Sequence, residues 1–192
     1  IWPHYFPVKF ACRFSRNASQ PSCASRASNT GLAINPDLTY VEVKLKDLIL
    51  VLAEDRLDEV IGDDAHVIRR YKGANLKGVR YARPLDIVAI PDDPQNGWTV
   101  VDEHFVSSEE GTGIVHIAPA FGSDDYAAGQ RHSLPMLMPI DEAGCFLPDV
   151  DLVKGVFVRD ADPVLVEALD KRGNLFNFDT KIHSYPHCWR CE

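Results

Sequence analysis

The chain has 192 residues, with 20 Lys+Arg against 28 Asp+Glu for a net charge of −8, and it is 45% hydrophobic and 25% charged. That composition can bury the core of one domain, or of two small ones at most. No apolar run approaches the roughly 20 residues of a membrane-spanning helix, which excludes a helical integral membrane protein. The acidic balance excludes nucleic-acid binding by bulk charge and leaves only local contacts with RNA.

The charge is unevenly spread. Residues 1–36 carry Lys9, Arg13, Arg16 and Arg26 and no acid, a local +4 that leaves −12 on the rest of the −8 chain. This Arg- and Ser-rich start has the composition of an organelle transit peptide but lacks the apolar core of a secretory signal. The five cysteines, Cys12, Cys23, Cys145, Cys188 and Cys191, are odd in number and too few for a disulfide scaffold. A reducing, cytoplasmic setting is the expectation.

In chain order, Val41, Val43 and Leu45 alternate with Glu42, Lys44 and Lys46, which predicts a strand from Thr39 with one buried face. After Asp47, Leu48 to Leu52 reads as a more buried strand. Glu54 to Ile61 is a short helix closed by Gly62. Further strands are predicted at His66 to Tyr71, Val100 to Val106, Gly113 to Ala118 and Met136 to Ile140. The best helix signal is Asp162 to Arg172: Asp162 can cap, Pro163 suits the first turn, Leu165, Ala168 and Leu169 form a stripe, and Gly173 follows. Many short strands with few helices predict an α+β domain around a partly closed β-barrel with peripheral helices.

The segment richest in chemistry is Gly111-Thr112-Gly113-Ile114-Val115-His116-Ile117-Ala118-Pro119-Ala120-Phe121-Gly122-Ser123-Asp124-Asp125-Tyr126. It reads as a flexible Gly-Thr-Gly turn, a short apolar strand, a Phe-Gly turn and a helix that Ser123 or Asp124 can cap, with Ala127, Ala128 and Leu134 on its inner side. This order gathers His116, backbone amides and a carboxylate at a strand-to-helix junction, the ingredients of a small-molecule pocket. Singly, each is more often structural: a Gly-Thr-Gly is usually a turn, His116 could be a bonded core residue, and Asp124 and Asp125 could serve the helix dipole.

The whole string resembles the signature of the editing domain inserted into isoleucyl-tRNA synthetases, a class I family. Ser28-Asn29-Thr30-Gly31-Leu32-Ala33-Ile34-Asn35-Pro36-Asp37 resembles the family's segment leading into its first long strand. His183-Ser184-Tyr185-Pro186-His187-Cys188-Trp189-Arg190-Cys191 resembles the return to the synthetase body. Valyl enzymes usually carry Lys at the His116 position and Asp at the Gly122 position, and leucyl enzymes an apolar residue at His116, so this pattern favours the isoleucyl member. The division implied is residues 1–27 as a poorly matching segment, 28–182 as the editing domain and 183–192 as the return segment.

The resemblance implies hydrolysis of mischarged Val-tRNA(Ile), with Asp125 holding the substrate ammonium and His116 reading side-chain size. Gly111, Thr112 and Gly113 would help position the terminal adenosine and ester, and Phe121 and Asp124 complete the implied substrate-binding set. Implied partners are the acceptor end of tRNA(Ile) carrying valine and the rest of the parent synthetase, with no DNA or membrane. Editing would need no cofactor, and ATP would belong to the synthetic domain, neither of whose ATP-binding signatures is present. Cys188 and Cys191 have zinc-knuckle spacing but supply two of the four ligands that tetrahedral Zn²⁺ needs, so the resemblance implies a half-site completed elsewhere in the full-length enzyme.

One stretch departs from the family. A Thr-rich strand, Trp-Thr-Thr-Thr-Pro-Trp-Thr, usually precedes the Ser28 segment and helps form the pocket, whereas this chain has Gln20-Pro21-Ser22-Cys23-Ala24-Ser25-Arg26-Ala27. Ser22 and Ser25 are the hydroxyls it retains. The alternative reading is therefore a catalytically inert tRNA-end-binding or structural insert.

Overall fold

Alternation of apolar and polar residues, broken by Gly, Pro and Asp, gives nine short strands among the residues that the computed structural model describes: 9–10, 14–17, 23–45, 48–63, 65–90, 96–176 and 178–181. In chain order these are β1 (Lys9–Phe10), β2 (Phe14–Asn17), α1 (Cys23–Ala27), β3 (Gly31–Ile34), β4 (Thr39–Leu45) and β5 (Leu48–Ala53). A 3₁₀ turn (Glu54–Arg56) runs into α2 (Leu57–Val60), followed by β6 (His66–Lys72), β7 (Thr99–Asp102) and β8 (Ile114–Ile117). α3 (Ser123–His132), α4 (Asp162–Lys171) and β9 (Phe178–Lys181) complete the order.

The strands form a four-stranded sheet, β1-β5-β4-β6, a three-stranded sheet, β7-β3-β8, and a β2-β9 pair. β4 runs antiparallel to both its neighbours, while β3 is parallel to β7 and antiparallel to β8. Tyr40, Val51 and Ala53 of the larger sheet bury together with Leu32, Ile34, Val100 and Ile114 of the smaller one, so the two sheets pack face to face. The outer face of the larger sheet (Val41, Val43, Leu50, Leu52) is covered by Leu57 and Val60 of α2. That of the smaller sheet (Ala33, Val101, Ile117) is covered by Ala128 of α3 and by Leu134. α4 inserts Leu165 and Leu169 among Leu85, Phe146, Val150 and Val153. Each such fully buried aliphatic side chain contributes about 1.5–3 kcal/mol.

The α+β class and the strands at Thr39, Leu48, His66 and Gly113 agree with expectation, but the sheets are open rather than closed into a barrel. β7 joins β3 instead of continuing the ladder from β6, whose outer edge carries no strand among the described residues. The predicted strand Val100 to Val106 stops at Asp102, where its partner β3 ends at Ile34; the Glu103 amide makes the last bond, to the Ile34 carbonyl at 2.8 Å. Met136 to Ile140 is no strand: Pro135 precedes it and Pro139 lies within it, neither with an amide to donate, and only Ile140 makes a bridge, to Phe146. Glu54 to Ile61 splits into the 3₁₀ turn and α2. The cap positions differ from those predicted: Gly122 takes that of α3 and Ala161 that of α4. Among the described residues, no helix is long and apolar enough to cross a membrane.

Candidate functional site

β8 organises the site. Its register against β3 places His116 opposite Leu32 and Ile114 opposite Ile34, so by the two-residue period these four share a face. α3 packs on the other face. On the His116 side lies α1, and Ser25 Oγ stands 3.4 Å from His116 Nε2. His116 is partly buried, and its enclosure, with the nearby Arg26 charge, pulls its pKa down to about 3. The imidazole is therefore neutral at physiological pH, with one nitrogen a donor and the other an acceptor.

At the C-terminal end of β8 the Ile117 carbonyl accepts the Thr30 amide from the start of β3, 2.9 Å away. A trans peptide opposes C=O and N–H, so the Ala118 amide points the other way, off the open edge of the sheet. Asp125, in the first turn of α3, accepts that amide on Oδ2 at 3.1 Å. Burial raises the Asp125 pKa above the usual carboxylate range; the Ala118 bond opposes the shift and the Asp124 charge adds to it. Among the described residues this partly buried carboxylate has one neutral donor and no cation, and a cation delivered to it would restore its ionised form.

The Gly-Thr-Gly turn sits at the opposite end of β8, separated from Ala118 by four strand residues, roughly 13 Å. It is firmly held. Carbonyls of Glu109 and Gly111 accept from Arg56 Nη1 and Nε at 3.0 and 3.1 Å, that of Thr112 from the Ala53 amide at 2.9 Å, and that of Gly113 from the Tyr40 hydroxyl at 2.7 Å. Ser108 Oγ donates to Asp55 at 3.0 Å. Gly113 has φ +70°, and a Cβ there would lie 2.4 Å from Ala53 Cβ, so only glycine allows this seating. The turn expected to be flexible is a clamped ledge.

Of the residues singled out from sequence, His116 faces α1 from one face of β8, and Asp125 reaches the Ala118 amide from α3, which packs on the other face. Gly111, Thr112 and Gly113 form the ledge at its start, with the Thr112 hydroxyl buried and, among the described residues, unpartnered. Asp124 is exposed on α3, and Phe121 packs against the cluster around Leu85 and Leu165. Cys188 and Cys191 lie outside the described residues, among which no group of three or more His, Cys, Asp or Glu could hold a metal ion.

No family model matches the chain. The isoleucine–tRNA ligase of Clostridium tetani is 39% identical to it over 165 residues, which cover 86% of this chain and 16% of the ligase. That of Streptomyces coelicolor is 41% identical over 165 residues, again 16% of its length. This chain is homologous to the isoleucine–tRNA ligases. It spans about a sixth of the length of the ligases it matches. Its fold resembles the crystal structure of GlLeuRS-CP1, with a TM-score of 0.61 at 16% identity over 80% of this chain and 78% of that one. The cytosolic leucyl-tRNA synthetase editing domain of P. falciparum superposes with a TM-score of 0.54 at 13% identity, covering 81% of this chain and 76% of that one. The chain is thus homologous to a segment of the isoleucine–tRNA ligases and has a fold like that of these leucyl-tRNA synthetase domains.

Three features of the site carry little signal in the sequence. Ser25 reaches His116 from a helix with no apolar period. Asn29 is buried at the α1–β3 joint, its Nδ2 donating to Gly31 O at 2.7 Å, its Oδ1 accepting from the Tyr81 hydroxyl at 2.6 Å, and its carbonyl accepting from Trp98 Nε1 at 3.1 Å. Arg56, 6% exposed, looks like a surface charge within Glu54-Asp55-Arg56. A polar residue leading into an apolar strand is the available signal for Asn29; for Arg56 there is none, because two of its partners are carbonyls.

Proposed function

We propose that this segment hydrolyses valine esterified to the acceptor end of tRNA(Ile), clearing mischarged tRNA for the synthetase of which it forms part. The observation that carries the reading is Asp125: a partly buried carboxylate, held at the open edge beyond β8 by the neutral amide of Ala118, two residues along the chain from His116. Every aminoacyl ester brings an α-ammonium, and an ammonium–carboxylate bond is among the stronger contacts available. The neutral imidazole of His116 does not repel that ammonium and can limit the size of the side chain that enters. Such a second sieve is needed because one methylene is worth only about 1–3 kcal/mol in a binding pocket, a limit for which isoleucyl enzymes are themselves the standard example.

In the reaction, a water oxygen bonds to the ester carbonyl carbon and the bond to the ribose oxygen breaks. One water proton ends on that ribose oxygen and the other on the valine carboxyl, from which it is lost to solvent. No general base is assigned: Asp125 is occupied by the ammonium, and alignment of water and ester supplies several kcal/mol. The Ser25 hydroxyl beside His116 supports a polar lining despite the lost Thr-rich strand; Ser22 lies outside the described residues. The reading extends to the parent synthetase as partner, with Cys188 and Cys191 as half of its zinc site. Release of valine from Val-tRNA(Ile) by this chain tests the proposal, and binding of the tRNA end without release would instead identify an inert insert.

A further inference from the structure

Two buried side chains hold the Gly-Thr-Gly ledge, Tyr40 at Gly113 and Arg56 at Glu109 and Gly111. Arg56 stands at the junction of the 3₁₀ turn and α2, 6% exposed, and its guanidinium is used on three sides. Nε and Nη1 donate to the carbonyls of Gly111 and Glu109, two residues apart on one loop, and Nη2 pairs with Glu59 at 2.6 Å. Only a planar fork can bond two carbonyls so spaced while a third nitrogen meets a carboxylate; a lysine ammonium at the same place serves one partner well. The neighbouring bonds, Ala53 amide to Thr112 and Ser108 hydroxyl to Asp55, show that residues 53–56 and 108–112 are zipped side by side, with Arg56 as the single long reach. Drawing the carbonyls of Gly111 and Thr112 inward also turns the amides of Thr112 and Gly113 away from the latch.

We propose that Arg56 is a positioning residue for editing: it latches Glu109–Gly113 in the shape that receives the terminal adenosine, and so governs substrate affinity from the end of β8 remote from Asp125. This rests on the editing function proposed above. A ledge that only orients the tRNA end contributes equally to ground and transition state, so its loss raises KM and spares kcat.

The experiment is steady-state deacylation of Val-tRNA(Ile) by the chain, with Arg56→Met, Arg56→Lys and Glu59→Gln beside the unmodified protein, paired with hydrogen exchange at the Thr112 and Gly113 amides. The expected result is a KM raised about tenfold in Arg56→Met with kcat within about twofold, a smaller rise in Arg56→Lys, no change in Glu59→Gln, and faster exchange that follows the KM order. An unchanged KM in Arg56→Met, or a fall in kcat alone that tracks the fraction of unfolded protein, would overturn the proposal. Arg56→Lys keeps the stem and charge, so it still reports on the latch if Arg56→Met fails to fold. An unmodified chain that releases no valine overturns the editing function itself, a result distinct from active proteins that differ in nothing.

Discussion

Asp125 Oδ2 accepts the Ala118 amide at 3.1 Å, tying the first turn of α3 to the open edge of β8. The bond does two things. It orients the carboxylate, and it partly offsets the desolvation that raises the Asp125 pKa. If the ionised form holds the substrate ammonium, kcat/KM falls as pH drops through a value above the ordinary Asp range near 3.9. A pH profile of deacylation checks this: the acid limb should lie above that range and vanish in Asp125→Asn with most of the activity. A limb below it would contradict the assignment.

His116 makes a separate prediction for stability. Its folded pKa is depressed to about 3 against an ordinary 6.5, so between those values the unfolded chain binds the proton and the folded one does not. Stability from this group is complete above about pH 6.5 and is lost as pH falls toward 3. The loss should be about 2 kcal/mol between pH 6.5 and pH 5, measurable by urea unfolding. His116→Gln should flatten that part of the curve; an unchanged slope would mean that the ring titrates normally.

Glycine substitutions at the ledge should differ although both positions have positive φ. Gly111 (φ +65°) faces open space, so Gly111→Ala costs about 1–2 kcal/mol for the left-handed backbone alone. Gly113→Ala adds the clash with Ala53 and should cost about 2–4 kcal/mol. Equal losses in thermal or chemical unfolding would show that the ledge yields and is not clamped.

These elements also show what sequence can reveal. β4 is legible because its apolar and polar residues alternate, and α4 because its apolar stripe has helical spacing and Gly173 ends it. β3 is not, since all four of its residues are buried between two layers and no alternation is left to read. Met136 to Ile140 looks like a strand, but Pro135 and Pro139 have no amide to donate and limit its pairing to the bridge between Ile140 and Phe146. At the site, the side chains that bear chemistry, His116 and Asp125, are readable in place. The Arg56 latch is not, because a backbone carbonyl leaves no mark on residue identity. The ledge, expected beside Asp125, stands a full strand away from it.

Glu103 anchors the far end of α3. It is 7% exposed, takes Arg131 through Nε and Nη2 at 3.1 and 2.7 Å, and lies 3.0 Å from His132 Nε2. Removing Arg131 leaves the buried Glu103 carboxylate without its bidentate partner, whereas removing Glu103 leaves a half-exposed guanidinium that water can serve. Arg131→Ala should therefore cost about 1–3 kcal/mol and Glu103→Ala less in denaturant unfolding. The reverse order would show that His132 and water satisfy the carboxylate without Arg131.

The most direct measurement is release of valine from Val-tRNA(Ile) and of isoleucine from Ile-tRNA(Ile) by the chain, with Asp125→Ala and His116→Ala alongside. The account predicts rapid release of valine only, abolition of that release in Asp125→Ala, and new release of isoleucine in His116→Ala. Wild-type-like activity and selectivity in both variants would contradict it.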